Sequence, residues 1–140
     1  MTTLYKTKAT ALAGRNGNVA TEDGLLNVDL SYPKEMGGSG TATNPEQLFA
    51  AGYAACFSNA ILHVAKEAKV KIAQAPVSAE VGIGPNAEGG FELSVELAVS
   101  LDLPQDNALE LVRVAHKVCP YSNATRGNID VAVTVNGEAI

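Results

Sequence analysis

Apolar and polar residues alternate most regularly past the middle of the chain. There Phe91, Leu93, Val95, Leu97, Val99 and Leu101 interleave with Glu92, Ser94, Glu96, Ala98, Ser100 and Asp102. A period of two predicts a strand with one buried face. Val77 to Ile83 reads as a second strand, and Pro85-Asn86 with Gly89-Gly90 mark the turn between them. Ile129, Val131, Val133 and Val135 repeat the alternation near the end. Before these, Leu4 to Ser31 predicts a three-strand meander. Its turns fall at Asn16-Gly17 and Asp23-Gly24, pairs that supply positive φ, and Leu26, Val28 and Leu30 give the third strand a buried face. Tyr32 to Thr43 is expected to be a loop. Its Gly37-Gly38-Ser39-Gly40 cluster lacks the Gly-Lys-Ser/Thr ending of a phosphate loop and reads as a flexible connector.

Two stretches carry the helical period. Asn44-Pro45-Glu46-Gln47 reads as a helix start, with Asn as N-cap, Pro at the first helical position and an acid in the first turn. The helix should run to about Ala68, and its apolar residues surround the axis, which predicts a central, buried element. Gly52, Ala55 and Ala60 would let another element approach its backbone near Cys56. A second helix follows Pro104, with Asp106, Glu110, Arg113 and Lys117 on a solvated stripe and Leu109, Val112, His116 and Cys119 on another. Pro120 is expected to end it. The order βββ-α-ββ-α-β, with two helices, predicts an α+β fold and not a doubly wound sheet.

With 140 residues, 46% of them apolar and 18% charged, the chain fits one domain over residues 1–140 and can bury a core without disulfide or metal staples. Ten Lys and Arg against 15 Asp and Glu give a net charge of −5, which argues against nucleic acid and anionic membrane as partners. Met1 to Arg15 holds no apolar block of the signal-peptide kind, so a cytoplasmic, reducing compartment is expected. Leu48 to Ala65 has no Asp, Glu, Lys or Arg and approaches the length of a short span. Its small residues, with Ser58, Asn59 and His63, suit a helix enclosed by protein better than one in lipid.

The two cysteines, Cys56 and Cys119, form no Cys-x-x-Cys pair, and His63 lies about two turns beyond Cys56, too far to share a metal. No metal site is expected. As a bland reading, both thiols are small core hydrophobes. A redox reading demands a cation near Cys56, because an apolar setting raises a thiol's pKa. Cys119, at the carbonyl end of a helix, is worse placed to ionise, which suggests Cys56 as the attacking thiol and Cys119 as the resolving one. Three arginines exist: Arg113 is on the solvated stripe, Arg126 follows Cys119, and Arg15 stands beside the first hairpin turn, where its removal should cost little stability. About 15 Å of helix axis separates Glu46 from Cys56. An Arg15 held by Glu46 therefore serves Cys56 only if the two come from another subunit. Neither His63 nor His116 is expected to be catalytic; each reads as a partly buried helix residue. Tyr121 is a candidate for the site wall or for a helix end.

Asn-Pro-Glu-Gln-Leu-Phe-Ala-Ala-Gly-Tyr-Ala-Ala-Cys-Phe at 44–57 and Val-Cys-Pro-Tyr-Ser-Asn-Ala-Thr-Arg-Gly-Asn at 118–128 resemble the bacterial organic hydroperoxide resistance proteins. These belong to the superfamily that includes osmotically inducible protein C. The likeness covers essentially the whole chain, and Gly14-Arg15-Asn16-Gly17 is similar to the family's arginine loop. The resemblance implies an OsmC-like fold in an intertwined homodimer with sites at the interface, and a thiol peroxidase that reduces organic hydroperoxides, fatty-acid hydroperoxides included. It implies Cys56 as peroxidatic cysteine, Cys119 as resolving cysteine, Arg15 as thiolate stabiliser and Glu46 as the acid that orients Arg15. It also implies no bound cofactor, with a dihydrolipoyl group on a protein partner as dithiol reductant. Two alternatives stand beside it: a protein that binds an apolar ligand and uses its cysteines for packing, and an enzyme of the osmotically inducible branch.

Overall fold

From Ala9 to Asp29 the computed structural model, which describes residues 1–140, forms the expected meander. Strands β1 (Ala9–Ala11), β2 (Asn18–Thr21) and β3 (Asn27–Asp29) pair antiparallel, with Val19 opposite both Ala11 and Val28. The second turn has its left-handed residue at Gly24, φ 74°, as expected. The first departs from expectation. Its left-handed glycine is Gly14, φ 59°, whereas Gly17 has φ −115°. The connection is longer than a two-residue hairpin, and a 3-10 turn over Gly14–Asn16 puts Arg15 at its centre.

The glycine-rich loop is a tied turn and not a free connector. Gly38 N donates to Pro33 O at 3.0 Å and Gly40 N to Tyr32 O at 3.0 Å. A Cβ on Gly38 would run into the Tyr32 carbonyl, so the close approach requires glycine here. Ser31 closes the loop by accepting from Ala42 N at 2.9 Å.

Helix α1 (Pro45–Glu67) starts where the cap predicts: Gln47 N donates to Asn44 Oδ1 at 2.9 Å. The chain divides into two compact units, Met1–Leu48 and Phe49–Ile140. In the second, α1 contributes Tyr53, Phe57, Ala60, Ile61, Val64 and Ala65 to the core. It is not enclosed on every side, however. Ala51, Ala55, Asn59 and His63, each one turn from the next, are exposed. Small side chains at three of these positions leave the helical pattern without an apolar stripe while still presenting an open face. His63 is thus an exposed residue, 3.6 Å from Glu67, and not a partly buried one.

Strands β4 (Val77–Pro85) and β5 (Phe91–Val99) form the predicted hairpin, with Val81 opposite Val95. The alternation sorts as expected, since Val95, Leu97 and Val99 are buried while Glu96 and Ala98 are exposed. Phe91 is the exception and lies open. Helix α2 (Gln105–Val118) buries Ala108, Leu109, Leu111, Val112 and Ala115. Pro120 does not simply end it. Cys119 takes an extended ψ of 123°, as residues before proline do, and Pro120 opens a third helix, α3 (Pro120–Thr125). Strand β6 (Val131–Val135) then pairs parallel to β5. Asn136 and Gly137, both with positive φ, turn the chain into β7 (Glu138–Ala139), a hairpin beyond the predicted elements. The α+β class holds, with three helices instead of two and sheets ordered β1-β2-β3 and β4-β5-β6-β7.

Candidate active site

Cys56 sits about three turns into α1 and Cys119 between α2 and α3. The fold brings their sulfurs to 3.8 Å although 63 residues separate them in the chain. Both are free thiols, and they differ in access: Cys119 is fully buried, whereas Cys56 is half-buried. Burial pushes the Cys56 thiol above its ordinary range; the Tyr121 backbone amide, donating to its sulfur, pulls the other way, and Cys119 beside it pushes up again. That amide is available because Tyr121 is in the first turn of α3, where backbone N–H groups have no helical partner.

An aromatic wall surrounds the pair. Phe49 meets Tyr53 and Tyr121 edge-on with centroids 6.2 Å apart in each case, and Tyr53 lies 5.6 Å from Tyr121. Gly52 is the residue that admits Tyr121: a Cβ there would stand 2.8 Å from the tyrosine oxygen. Of the small residues expected to admit a neighbour near Cys56, Gly52 does so, and what approaches is a side chain of α3; Ala55 instead lies exposed.

Behind this wall runs a set of polar side chains that hydrophobic periodicity does not reveal. Tyr53 Oη is 2.9 Å from Ser122 Oγ, which is 2.8 Å from His116 Nδ1. Tyr53 and Ser122 are completely buried. Burial lowers the proton affinity of His116, and the charge of Arg126 lowers it further. Arg126 itself donates to the His116 carbonyl at 2.6 Å. The signal available in the sequence is the Cys-Pro-Tyr-Ser-Asn run, whose Ser falls on the inner side of a short helix.

In the Met1–Leu48 unit, Arg15 and Glu46 form a two-pronged ion pair, Nη1 to Oε2 and Nη2 to Oε1, both 2.6 Å. Their side chains are only 23% and 14% exposed, so Arg15 is not the solvated hairpin-tip residue that its place in the sequence predicts. The hydrogen bonds from Arg15 hold the Glu46 carboxyl below the usual carboxylate range, and Glu46 in turn raises the already high pKa of Arg15. The Tyr32 ring centre lies 6.0 Å from the guanidinium carbon, so the glycine turn that shapes Tyr32 also flanks this pair. The four predicted site residues are thus assembled as two pairs, one in each unit.

The profile of the OsmC-like protein family matches residues 38–134. The chain belongs to that family. Its relatives there include organic hydroperoxide resistance proteins: that of Xanthomonas axonopodis pv. citri is 50% identical over 135 residues, covering 94% of each chain. OhrB of Bacillus subtilis is 47% identical over 130 residues, covering 91% of this chain and 95% of its own. Among solved structures, an organic hydroperoxide resistance protein of Vibrio cholerae, with captopril bound in one of its active sites, is 71% identical. It superposes with a TM-score of 0.99 over 100% of this chain and 97% of its own.

Proposed function

We propose that the protein is a cysteine-based peroxidase that reduces organic hydroperoxides, fatty-acid hydroperoxides among them, to alcohols. The observation that carries this reading is the 3.8 Å approach of a half-buried and a buried thiol from distant parts of the chain. The names of the relatives, which point to organic hydroperoxides, supply the substrate class.

In the first step the Cys56 thiolate attacks the terminal oxygen of the hydroperoxide. The O–O bond breaks, the alkoxide leaves and takes up a proton as the alcohol, and Cys56 becomes a sulfenic acid. The Cys119 thiol then condenses with it: an S–S bond forms, the S–O bond breaks and water leaves. An external dithiol, of the dihydrolipoyl class, restores both thiols by exchange and is itself oxidised to a disulfide. No bound cofactor takes part. A disulfide that exists only between turnovers is compatible with a reducing cytoplasm.

The attacking thiol needs a cation, because burial holds its pKa up and one amide donor opposes that only in part. Arg15 fills this role, with Glu46 fixing its guanidinium in one orientation. We assign the pair to a neighbouring copy, so that Arg15 and Glu46 of one chain serve Cys56 of the other in a homodimer. The exposed stripe of α1 and the open side chains Leu4, Tyr5, Leu12 and Leu25 are surface that such a partner would cover. Once there, Arg15 also stabilises charge on the peroxide oxygens as the bond breaks. Phe49 and Tyr121, the accessible part of the aromatic wall, favour bulky apolar peroxides over hydrogen peroxide. Comparable efficiency on hydrogen peroxide and cumene hydroperoxide would count against that preference.

Free-thiol titration of the reduced protein before and after one equivalent of cumene hydroperoxide tests the whole reading. Rapid loss of both thiols is expected in the wild type, with none in Cys56→Ser. Survival of both thiols in excess peroxide would remove the enzymatic reading and leave a protein that binds an apolar ligand.

A further inference from the structure

Helix α3 buries two side chains, Ser122 and Thr125, and both are hydroxyls. Six residues of helix without a buried apolar side chain have no stability of their own in water. Yet α3 carries the Tyr121 amide that donates to the Cys56 sulfur, and it begins directly after Cys119, whose carbonyl accepts from Asn123 N at 3.0 Å. Besides the Tyr121 ring against Phe49 and Tyr53, its position rests on the hydrogen bonds of those two hydroxyls. Tyr53 Oη reaches Ser122 Oγ at 2.9 Å and Thr125 Oγ1 at 3.3 Å, and Ser122 Oγ reaches His116 Nδ1 at 2.8 Å. Tyr53 stands one turn before Cys56 on α1, and His116 one turn before Cys119 on α2. Ser122 therefore ties the helix that carries one sulfur to the helix that leads to the other.

The donors and acceptors balance. Tyr53 Oη has one proton and gives it to Ser122 Oγ, the nearer hydroxyl, so Thr125 Oγ1 meets Tyr53 at 3.3 Å as a donor, its proton shared with the Tyr121 carbonyl at 3.0 Å and the Ser122 carbonyl at 3.2 Å. Neutral His116, the form that its burial favours, accepts at Nδ1 from Ser122, and Ser122 accepts from Tyr53. No buried side-chain nitrogen or oxygen is left without a partner. Removing one member leaves another unpaired in dry surroundings, and leaves α3 held by the partly exposed Tyr121 ring against Phe49 and Tyr53.

Building on the peroxidase reading, we infer that Ser122, bridged to Tyr53 and His116, is a positioning residue: it holds the Tyr121 amide and the Cys119 thiol against Cys56, and so decides how often the Cys56 sulfenate is captured as a disulfide. The two fates of that sulfenate compete. Capture by Cys119 forms the S–S bond and releases water. Otherwise the sulfenate sulfur attacks the terminal oxygen of a second hydroperoxide, the O–O bond breaks, an alcohol leaves, and Cys56 becomes a sulfinate that the dithiol does not restore. Displacing reacting atoms by about 1 Å costs on the order of 100-fold in rate, so small movements of α3 shift this competition.

The test uses the reduced full-length protein with Ser122→Ala, Tyr53→Phe, His116→Leu and His116→Asn, titrated with cumene hydroperoxide and read by mass spectrometry as sulfinate against disulfide. Wild type and Cys119→Ser set the two ends of the scale. Ser122→Ala is expected to raise sulfinate per turnover about 10-fold, with Tyr53→Phe and His116→Leu in the same direction. His116→Asn, which keeps an acceptor near the place of Nδ1, should return it toward wild type. In a Cys119→Ser background, Ser122→Ala should also move the Cys56 titration midpoint upward, because the Tyr121 amide is lost, a change that a purely structural role would not produce. Folded variants with unchanged sulfinate yield and unchanged Cys56 titration would overturn the inference. Where Ser122→Ala does not fold, the shape-conserving Tyr53→Phe decides the same comparison. If the wild type itself forms no disulfide, the peroxidase reading falls, and the Cys56 midpoint alone then decides whether Ser122 positions the amide.

Discussion

Cys56 and Cys119 meet inside the Phe49–Ile140 unit, which holds the core residues Phe57 and Tyr53 and the buried face of α2, with α3 tied on by its two buried hydroxyls. Arg15 and Glu46 meet in the Met1–Leu48 unit, where β1 buries no residue and the guanidinium is carried on a 3-10 turn. The thiols are fixed by packing and by the hydrogen bonds that tie α3 to its neighbours. The ion pair is fixed by its own two hydrogen bonds, a tied glycine turn and the first turn of a capped helix. Two thiols that must form a bond need their spacing set by something rigid, whereas a guanidinium acting through charge tolerates a looser mount as long as its fork is oriented.

That contrast can be broken most sharply at the thiols. Cys56→Ser should abolish alcohol formation from cumene hydroperoxide altogether, as single-turnover product analysis would show. Cys119→Ser should leave the first turnover intact and stop every later one, with Cys56 accumulating as sulfinate by mass spectrometry. At the ion pair the losses should be partial. Arg15→Ala is expected to slow the first attack about 100-fold in stopped-flow measurement, and Arg15→Lys, which lacks the fork, should recover only part of it. Because the pair is mostly covered, the same substitution should also cost about 1–3 kcal/mol in denaturant unfolding, more than a solvated hairpin-tip residue would. Glu46→Gln is expected to slow attack about 10-fold by leaving Arg15 unoriented.

The smallest effect is one of pH. The Glu46 carboxyl has a folded pKa below its ordinary value of 4.5, so its contribution to stability is complete above that value and is lost as the pH falls through the lower folded one. The stability gap between wild type and Glu46→Gln in urea unfolding should therefore be constant near neutral pH and close only on the acid side of 4.5. A gap that closed near neutrality would show that the carboxyl is not held by Arg15.

Where hydrophobic period or capping chemistry had a full element to act on, the fold was legible: β5 in its alternation, α1 in Asn44-Pro45, α2 in its two stripes. Short elements escaped. Proline both stops a helix and starts one, and nothing at Cys119-Pro120 tells which without the buried hydroxyls of α3. Asn136-Gly137 writes a hairpin turn, but β7 is two residues long and has no period to announce it. At Gly14 the longer turn moved the left-handed position away from Asn16-Gly17. The candidate site divides in the same way. Scarcity of cysteine and arginine singled out Cys56, Cys119 and Arg15, and the helix start made Glu46 conspicuous. Tyr53, Ser122 and His116 were hidden because each fits a core or helix position by pattern, and only their mutual distances make them a network.

In the proposed cycle, the unequal burial of the two cysteines gives the return half a direction. Cys56 is half-buried and Cys119 wholly so. An incoming dithiol can then open the disulfide only at Cys56, so the mixed disulfide forms there and Cys119 departs as the leaving group. On that reading the reductant's first sulfur and the peroxide oxygen would arrive by one and the same route, so that reductant and oxidant would compete for a single entrance.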